Sequence, residues 1–440
     1  MGNVIVSSIT RTPVDQGGGV WGGLGAGTVT PDINYPEIPT VEIDVSLQRY
    51  VESTGSNAND GQLVANGGTG PWATIEYGLE QGFGSTTWRW LNLRGDNTAA
   101  TGIAKVDAKY MGTTPGVLGT PFVVRQDPTS AGTLTINERL DLQGQSHVLV
   151  HSITQAGIVG WSTFTATGND SHLLWRNITG IMTGLGGDNL GFVESNNVDY
   201  FGVINCDLTG PGEGGGIHGN TACIVHFQND KFKIENNILS NAPRPYYFKH
   251  ANQGLEADVD WSFSNNWLKG NVGQSFISGR FGNVENNIFD MGLMVANSGG
   301  GIVPFGDTFR HNTFMSAFDI WDGDGVAISN DHVSLDNIII GQYAIDQYGI
   351  SAYTNTCTSN YQLYGANIIF QGTTYTTLAS WQAASVPAGQ DINSVDGLPT
   401  FTGGATPTTI AGYKLNGGNG VNAASDGKDM GADTALVGTV

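Results

Sequence analysis

The sequence predicts an all-β chain wound as a right-handed single-stranded parallel β-helix, a solenoid with an irregular N-terminal arm and a C-terminal cap. Three observations carry this prediction. A phrase built on asparagine returns every 20–30 residues, strand-like alternation surrounds each return, and the composition favours turns over helices.

The repeat is clearest in "FKIENNILSN" at 232–241, "FSNNWLKG" at 263–270, "VENNIFDM" at 284–291 and "FRHNTFMS" at 309–316. Taking the second asparagine as a marker gives Asn237, Asn266, Asn287, Asn312, Asn337 and Asn367, spaced 29, 21, 25, 25 and 30 residues apart. Cys206 and Asn177 are assigned to the same slot upstream. In a β-helix an inward asparagine at a bend bonds its own turn and the equivalent amides above and below, about 4.8 Å away. The Ile, Trp or Phe that follows is expected in the apolar core.

Composition agrees. The 440 residues include 65 Gly but only 15 Pro and no collagen-like period. With 18 Lys+Arg against 39 Asp+Glu the net charge is −21, which argues against a phosphate-backbone partner and so against nucleic acid. An acidic polymer is repelled as well, except where cations cluster. Cys206, Cys223 and Cys357 form no CxxC and read as small buried residues. No apolar run reaches membrane-spanning length, so no membrane insertion is expected, and the first residues lack the pattern of a secretory signal.

Residues 1–45 are Gly- and Pro-rich, and Trp21, Ile33, Tyr35 and Ile38 suit an arm that docks onto a larger assembly. Residues 46–440 form the expected β-helix, with a capping coil over about 48–81 and a closing segment over about 371–440 that begins with a short helix. In the former, "RYVESTGSNANDGQ" and "GPWATIEYGL" resemble the opening coil of pectin-lyase-like β-helix proteins. "YKLNGGNGVNAASDGKDMGADTALVG" at 413–438 resembles their closing segment. The resemblance implies the fold and covered solenoid ends. It does not imply one activity.

Counting twelve residues beyond each marker places His218, Lys249 and Ser278 on one outward stripe, with Ile217, Phe248 and Ile277 inward. Arg280 shares that face, His250 adjoins it, and Arg244, Tyr246 and Tyr247 lie just upstream as candidate sugar contacts. Lys249 as base and Arg280 as carboxylate clamp resemble the Lys/Arg pair of β-helix alginate and chondroitin lyases, in which a proton is removed beside a uronate carboxyl. Those families add an acidic calcium cluster. Glu256, Asp258 and Asp260 form no convincing equivalent, so no cofactor is expected, with calcium lacking a clear motif. The alternative is a scatter of surface cations packed over their neighbours.

A second constellation, "FDIWDGDG", offers Asp319, Asp322 and Asp324 around Trp321. Asp322 and Asp324 suit the acid and base of an inverting glycosidase, with Trp321 stacking on a sugar ring. The same residues suit an ordinary turn or an ion site. Three functions follow as expectations. The first is a phage tailspike- or tail-fibre-like virion protein, a homotrimer that binds a host surface polysaccharide, with its degradation left open. The second is a secreted, extracellular bacterial lyase or hydrolase. The third is a non-enzymatic surface spacer or adhesin.

Overall fold

Two compact units divide the chain, Met1–Thr30 and Pro31–Val440. The computed structural model describes residues 44–438, leaving out 84, 86, 96–103, 106–120, 131–132, 136–139, 143–144, 158–160, 165–171, 183–190, 197 and 199, together with 213–220, 228–230, 250–260, 270–274, 279–281, 298–307, 323–332, 346–357, 371 and 385–389. The first unit therefore lies outside the described residues, as does most of the N-terminal arm.

The second unit is a parallel β-helix. Its main column of strands is β1 (Gln48–Glu52), β2 (Trp90–Arg94), β3 (Phe122–Gln126), β4 (Val148–Gly157), β5 (Leu173–Met182), β6 (Phe201–Ile204), β7 (Phe232–Glu235), β8 (Trp261–Ser264), β9 (Gly282–Glu285), β10 (Thr308–Arg310), β11 (Val333–Leu335) and β12 (Thr358–Asn360). Each of these pairs in parallel with the next, as in Phe201↔Phe232↔Trp261↔Gly282. From Asp207–Thr209 onward a short second strand follows each turn, for example Ile238–Ser240 and Trp267–Lys269. A separate 12-stranded sheet closes the coil on its other side.

The paired asparagines hold the bend between the first and second strands. The first of each pair takes the left-handed conformation: Asn236 (φ 57°), Asn265 (58°) and Asn286 (57°), continued by His311, Asp336 and Tyr361. Asn tolerates this region better than most residues because its short side chain bonds locally. The second points inward and builds the expected ladder. Backbone N–H groups of Cys206, Asn237, Asn266, Asn287 and Asn312 each donate to the side-chain oxygen one coil further on, at 2.8–3.0 Å. Each amide nitrogen from Asn237 to Asn337 donates to a carbonyl of the preceding coil, such as Asn266 Nδ2 to Ile234 O at 2.9 Å.

Two markers fall elsewhere. Asn177 pairs with Asn205 at the left-handed corner, and Ile178 takes the inward slot. The slot after Asn337 holds Gln362, whose Oε1 accepts from Asn337 N at 3.1 Å; Asn367 instead offers its carbonyl to Tyr343 N. Cys206 does belong to the slot. Its thiol stands in for the amide donor, reaching Trp175 O at 3.8 Å, and burial pushes its pKa up to about 12.

The residue after each marker is a correction as well. Ile238, Trp267, Ile288, Ile338 and Leu363 face out of the coil, while Leu239, Leu268, Phe289, Ile339 and Tyr364, one residue later, fill its interior. The outward stripe is covered by the C-terminal segment, which runs back along the flank. Phe401, Tyr413, Leu415, Met430 and Val437 pack on it. Main-chain bonds from Gly431 N to Asp336 O and from Gly438 N to Asn265 O, both 2.8 Å, trace the strap against the direction of coil stacking.

At the two ends, helices lay their apolar faces against the core; the sequence reading named only the C-terminal one. At the first coil α1 (Ile75–Phe83) buries Ile75, Leu79 and Phe83. At the last, α2 (Leu378–Ala384) buries Leu378 and Trp381, and Trp381 Nε1 donates to the buried Asp391 at 2.7 Å.

Inside, Phe232 and Trp261 stack at 5.1 Å, and Gly282 is the next residue of that file. A Cβ on Gly282 would overlap the Trp261 indole. Gly282→Ala is therefore expected to cost about 1–3 kcal/mol by overpacking, read as a lower urea midpoint at unchanged m-value.

Candidate functional site

The predicted Lys249 column is partly in place. Lys249 lies at the end of strand Tyr246–Lys249 and pairs with Ser278, while Phe248 and Ile277 are fully buried, as the period-two reading expects. The position before Lys249 is held by Phe227, not His218, because that coil carries a longer connection than a fixed count of twelve allows. His218, His250 and Arg280 lie outside the described residues. Tyr246 is a correction: it is fully buried, with its hydroxyl 2.6 Å from His226 Nε2, and offers nothing to a sugar. Tyr247 is nearly buried, and the Arg244 guanidinium sits 5.5 Å from its ring.

In the acidic constellation, Trp321 pairs with Ala296 and Asp322 with Asn297, and Asp324 lies outside the described residues. Asp319 is nearly buried, and Gln342 Nε2 donates to it at 3.4 Å. Among the described residues no group of three His, Cys, Asp or Glu is placed to hold a metal, and no helix is long and apolar enough to cross a membrane.

A cluster that the sequence reading passed over lies nearer the N-terminal end. Register aligns Tyr50, Asn92, Arg125, His151 and Arg176 on β1 to β5, one outward residue per coil. Two residues earlier on the same face runs a covered apolar file, Trp90, Val123, Leu149 and Leu174. This file gives the polar groups a rigid edge. The Arg125 guanidinium lies 4.4 Å from the Trp90 ring centroid, and its Nε donates to Asn92 Oδ1 at 2.7 Å. Both contacts fix its orientation.

Beside Arg125 a cleft of about 410 Å³ opens, lined by Arg125, Gln126, Asp127, Pro128, Ser130, His151, Ser152 and Thr154. That volume falls in the range of small-ligand sites. Its walls are tied together: Gly95 N donates to Ser130 Oγ at 2.7 Å, and Thr154 N to Gln126 Oε1 at 3.0 Å. The carboxylate in the lining, Asp127, is engaged by Arg94 Nε at 2.9 Å and by the Thr129 backbone and hydroxyl. The charges that act on His151 are those of Arg125 and Arg176.

His151 is 5% exposed, its Nδ1 is 3.0 Å from Ser152 Oγ, and its Nε2 has no hydrogen-bond partner. Arg176 Nε is likewise buried and unpartnered. Burial first, then the charges of Arg125 and Arg176, lower the His151 pKa from 6.5 to about 4. The imidazole is neutral at ordinary pH. Between about pH 6.5 and about 4 the unfolded chain takes up a proton here that the folded chain refuses, so stability falls as pH drops through that window. Thermal midpoints against pH are expected to show this decline, and His151→Gln should flatten it.

The signal that would have found this cluster is the coil period itself. Arg125, His151 and Arg176 are spaced 26 and 25 residues apart, and Arg176 adjoins the marker Asn177. No family model matches the chain, and no curated protein matches it. Among solved structures the chain is similar to a rhamnogalacturonan lyase at 10% sequence identity and a TM-score of 0.31, over 79% of this chain and 87% of that one.

Proposed function

We propose that this chain is a glycan-engaging β-helix protein that holds an anionic polysaccharide across the outward face of β3, β4 and β5. The observation that carries the reading is the in-register file Arg125–His151–Arg176 on three successive coils of a chain whose net charge is −21. Coils about 4.8 Å apart present donors in a row, which suits an extended polymer bearing repeated acidic groups. Guanidinium groups bind such groups through charge-assisted, directional hydrogen bonds.

Binding to acidic and neutral polysaccharides tests this. Acidic polymers are expected to bind, with affinity falling as salt rises. Arg125→Ala and Arg176→Ala should each weaken binding about tenfold or more, the loss of a hydrogen bond to a charged group. Equal binding of neutral polymers, untouched by either substitution, would reject the reading. The tailspike-like form, a homotrimer docked to a virion, is the finer reading, motivated by the Gly- and Pro-rich sequence of residues 1–45 with its Trp21, Ile33, Tyr35 and Ile38. A trimer by light scattering that becomes monomeric when residues 1–45 are removed is the expected result. A monomeric full chain would discard the virion form and leave glycan engagement standing.

A further inference from the structure

We propose that the C-terminal end of the solenoid is a contact surface for a second copy of this chain, the two ends meeting about a two-fold axis with their strands Thr373–Tyr375 paired antiparallel. Such a contact is independent of the glycan reading above.

Charge singles out this end. A chain of net charge −21 repels its own copies over most of its surface. From Gln347 to Gln390 the sequence holds no Asp, Glu, Lys, Arg or His, and from there to Tyr413 only Asp391 and Asp396. Asp391 is fully buried. The described part of this stretch builds the last coil and the layer beyond it. Asp391 N donates to Ser359 O of β12 at 2.7 Å, and Val395–Asp396 pairs with Leu363–Tyr364. A two-fold contact sets each surface against itself, so a patch of one sign would face its own sign. An uncharged end avoids that repulsion.

The same end presents an open strand edge. In the 12-stranded sheet, Ile368–Phe370 pairs in parallel with Tyr343–Ile345 on one side and antiparallel with Thr373–Tyr375 on the other. Among the described residues no strand pairs with the outer side of Thr373–Tyr375. Such edges are ordinarily guarded by Lys, Pro or a covering element. Here Thr373 and Thr374 are exposed, and the strand holds neither Lys nor Pro. Trp381 of α2 packs on the face of the hairpin, 5.4 Å from both Phe370 and Tyr375, and leaves the edge open.

Antiparallel partners alternate between pairs that exchange both hydrogen bonds and pairs that exchange none. Phe370 and Thr373 close a two-residue turn, with Gly372 at φ 72°, and so form a bonded pair. The N–H and carbonyl of Thr374 therefore point to the open side. Set against the same residue of a second copy, they exchange two N–H···O bonds across the axis. Ile392 and Leu398, 69% and 63% exposed in the layer beyond the last coil, add apolar area at this end.

Three residues of edge per chain make a weak contact, with a Kd on the order of 100 μM, so dilute chains do not meet through it. The test is sedimentation of the full chain at concentrations from well below to well above that value. The mass is expected to double across the range. Thr374→Lys leaves the ladder within the chain intact and sets two ammonium groups face to face, and should raise the Kd about tenfold or more. Thermal midpoints confirm that it folds. Thr374→Cys tests the register, because Cα atoms of a bonded antiparallel pair lie about 5.5 Å apart, within disulfide reach. Mild oxidation should give a covalent dimer on a denaturing gel, well above the background of wild type and of Ala435→Cys on the exposed part of the strap.

A mass that stays constant across the whole range would overturn the contact. Association unchanged in Thr374→Lys, or no dimer above background from Thr374→Cys, would overturn it as well. None of these results bears on polysaccharide binding at β3, β4 and β5.

Discussion

Asn287→Leu is expected to destabilise the protein by about 4 kcal/mol or more, seen as a lower denaturant midpoint. Asn287 is fully buried at the centre of the ladder. Its Oδ1 accepts from Asn266 N at 2.8 Å and from Asn266 Nδ2 at 3.0 Å, and its Nδ2 donates to Phe263 O at 2.9 Å and Glu285 O at 3.0 Å. Leucine matches the volume but none of these bonds. The backbone N–H of Asn266 and carbonyl of Phe263 are then stranded in a bend that no strand pairing serves, at about 1–3 kcal/mol each. The amide partners above and below add to that cost. The loss is a large share of the stability of an ordinary domain, about 5–15 kcal/mol. An unchanged midpoint would mean that the ladder does not hold the bends.

Asp336→Ala is expected to cost about 3–5 kcal/mol and to release the C-terminal strap. The Asp336 side chain is fully buried. It accepts from Arg310 Nε at 2.9 Å, from Ser425 N at 2.5 Å and from Ser425 Oγ at 2.7 Å. Coil and strap thus share one carboxylate, and removing it leaves Arg310 at a site where its side chain is only 17% exposed. Asp426 adds a weaker clasp, 3.2 Å from His311 Nε2. Proteolysis after residue 400 should quicken in Asp336→Ala, because the apolar stripe under the strap has no other described cover. Unchanged cleavage and an unchanged melting point would show that the strap is held by its apolar contacts alone.

The fold was legible because a solenoid repeats its constraints. Each coil must turn at the same place, so the amide slot recurs, and spacing alone located Asn237 to Asn337. The ruler failed where the slot is filled differently. Ile153 and Ile178 occupy it in the upper coils, where Ser152 and Asn177 hold only the left-handed corner. With no inward amide to mark the phase, Asn177 was read one residue out of step. The count therefore started below Arg176, and the file through His151 and Arg125 went unseen.

Other misses have a common physical cause. Alternation assigns residues to two faces but does not say what lies against the outer one. Ile238, Trp267 and Ile288 are apolar because a distant segment of the same chain covers them, which only the return path of residues 413–438 reveals. His218 was placed by a fixed offset, and coils differ in the length of their connections. Period two from the inward Phe248 places Tyr246 inward as well, and only Tyr247 shares the outward face with Lys249.

The central claim is that a carbohydrate acid sits on β3, β4 and β5. A crystal structure with a uronate oligomer tests it most directly. A carboxylate within hydrogen-bonding distance of Arg125 and Arg176 is the expected result. An oligomer seated instead along the Lys249–Ser278 column, with the Arg125 cleft empty, would contradict it.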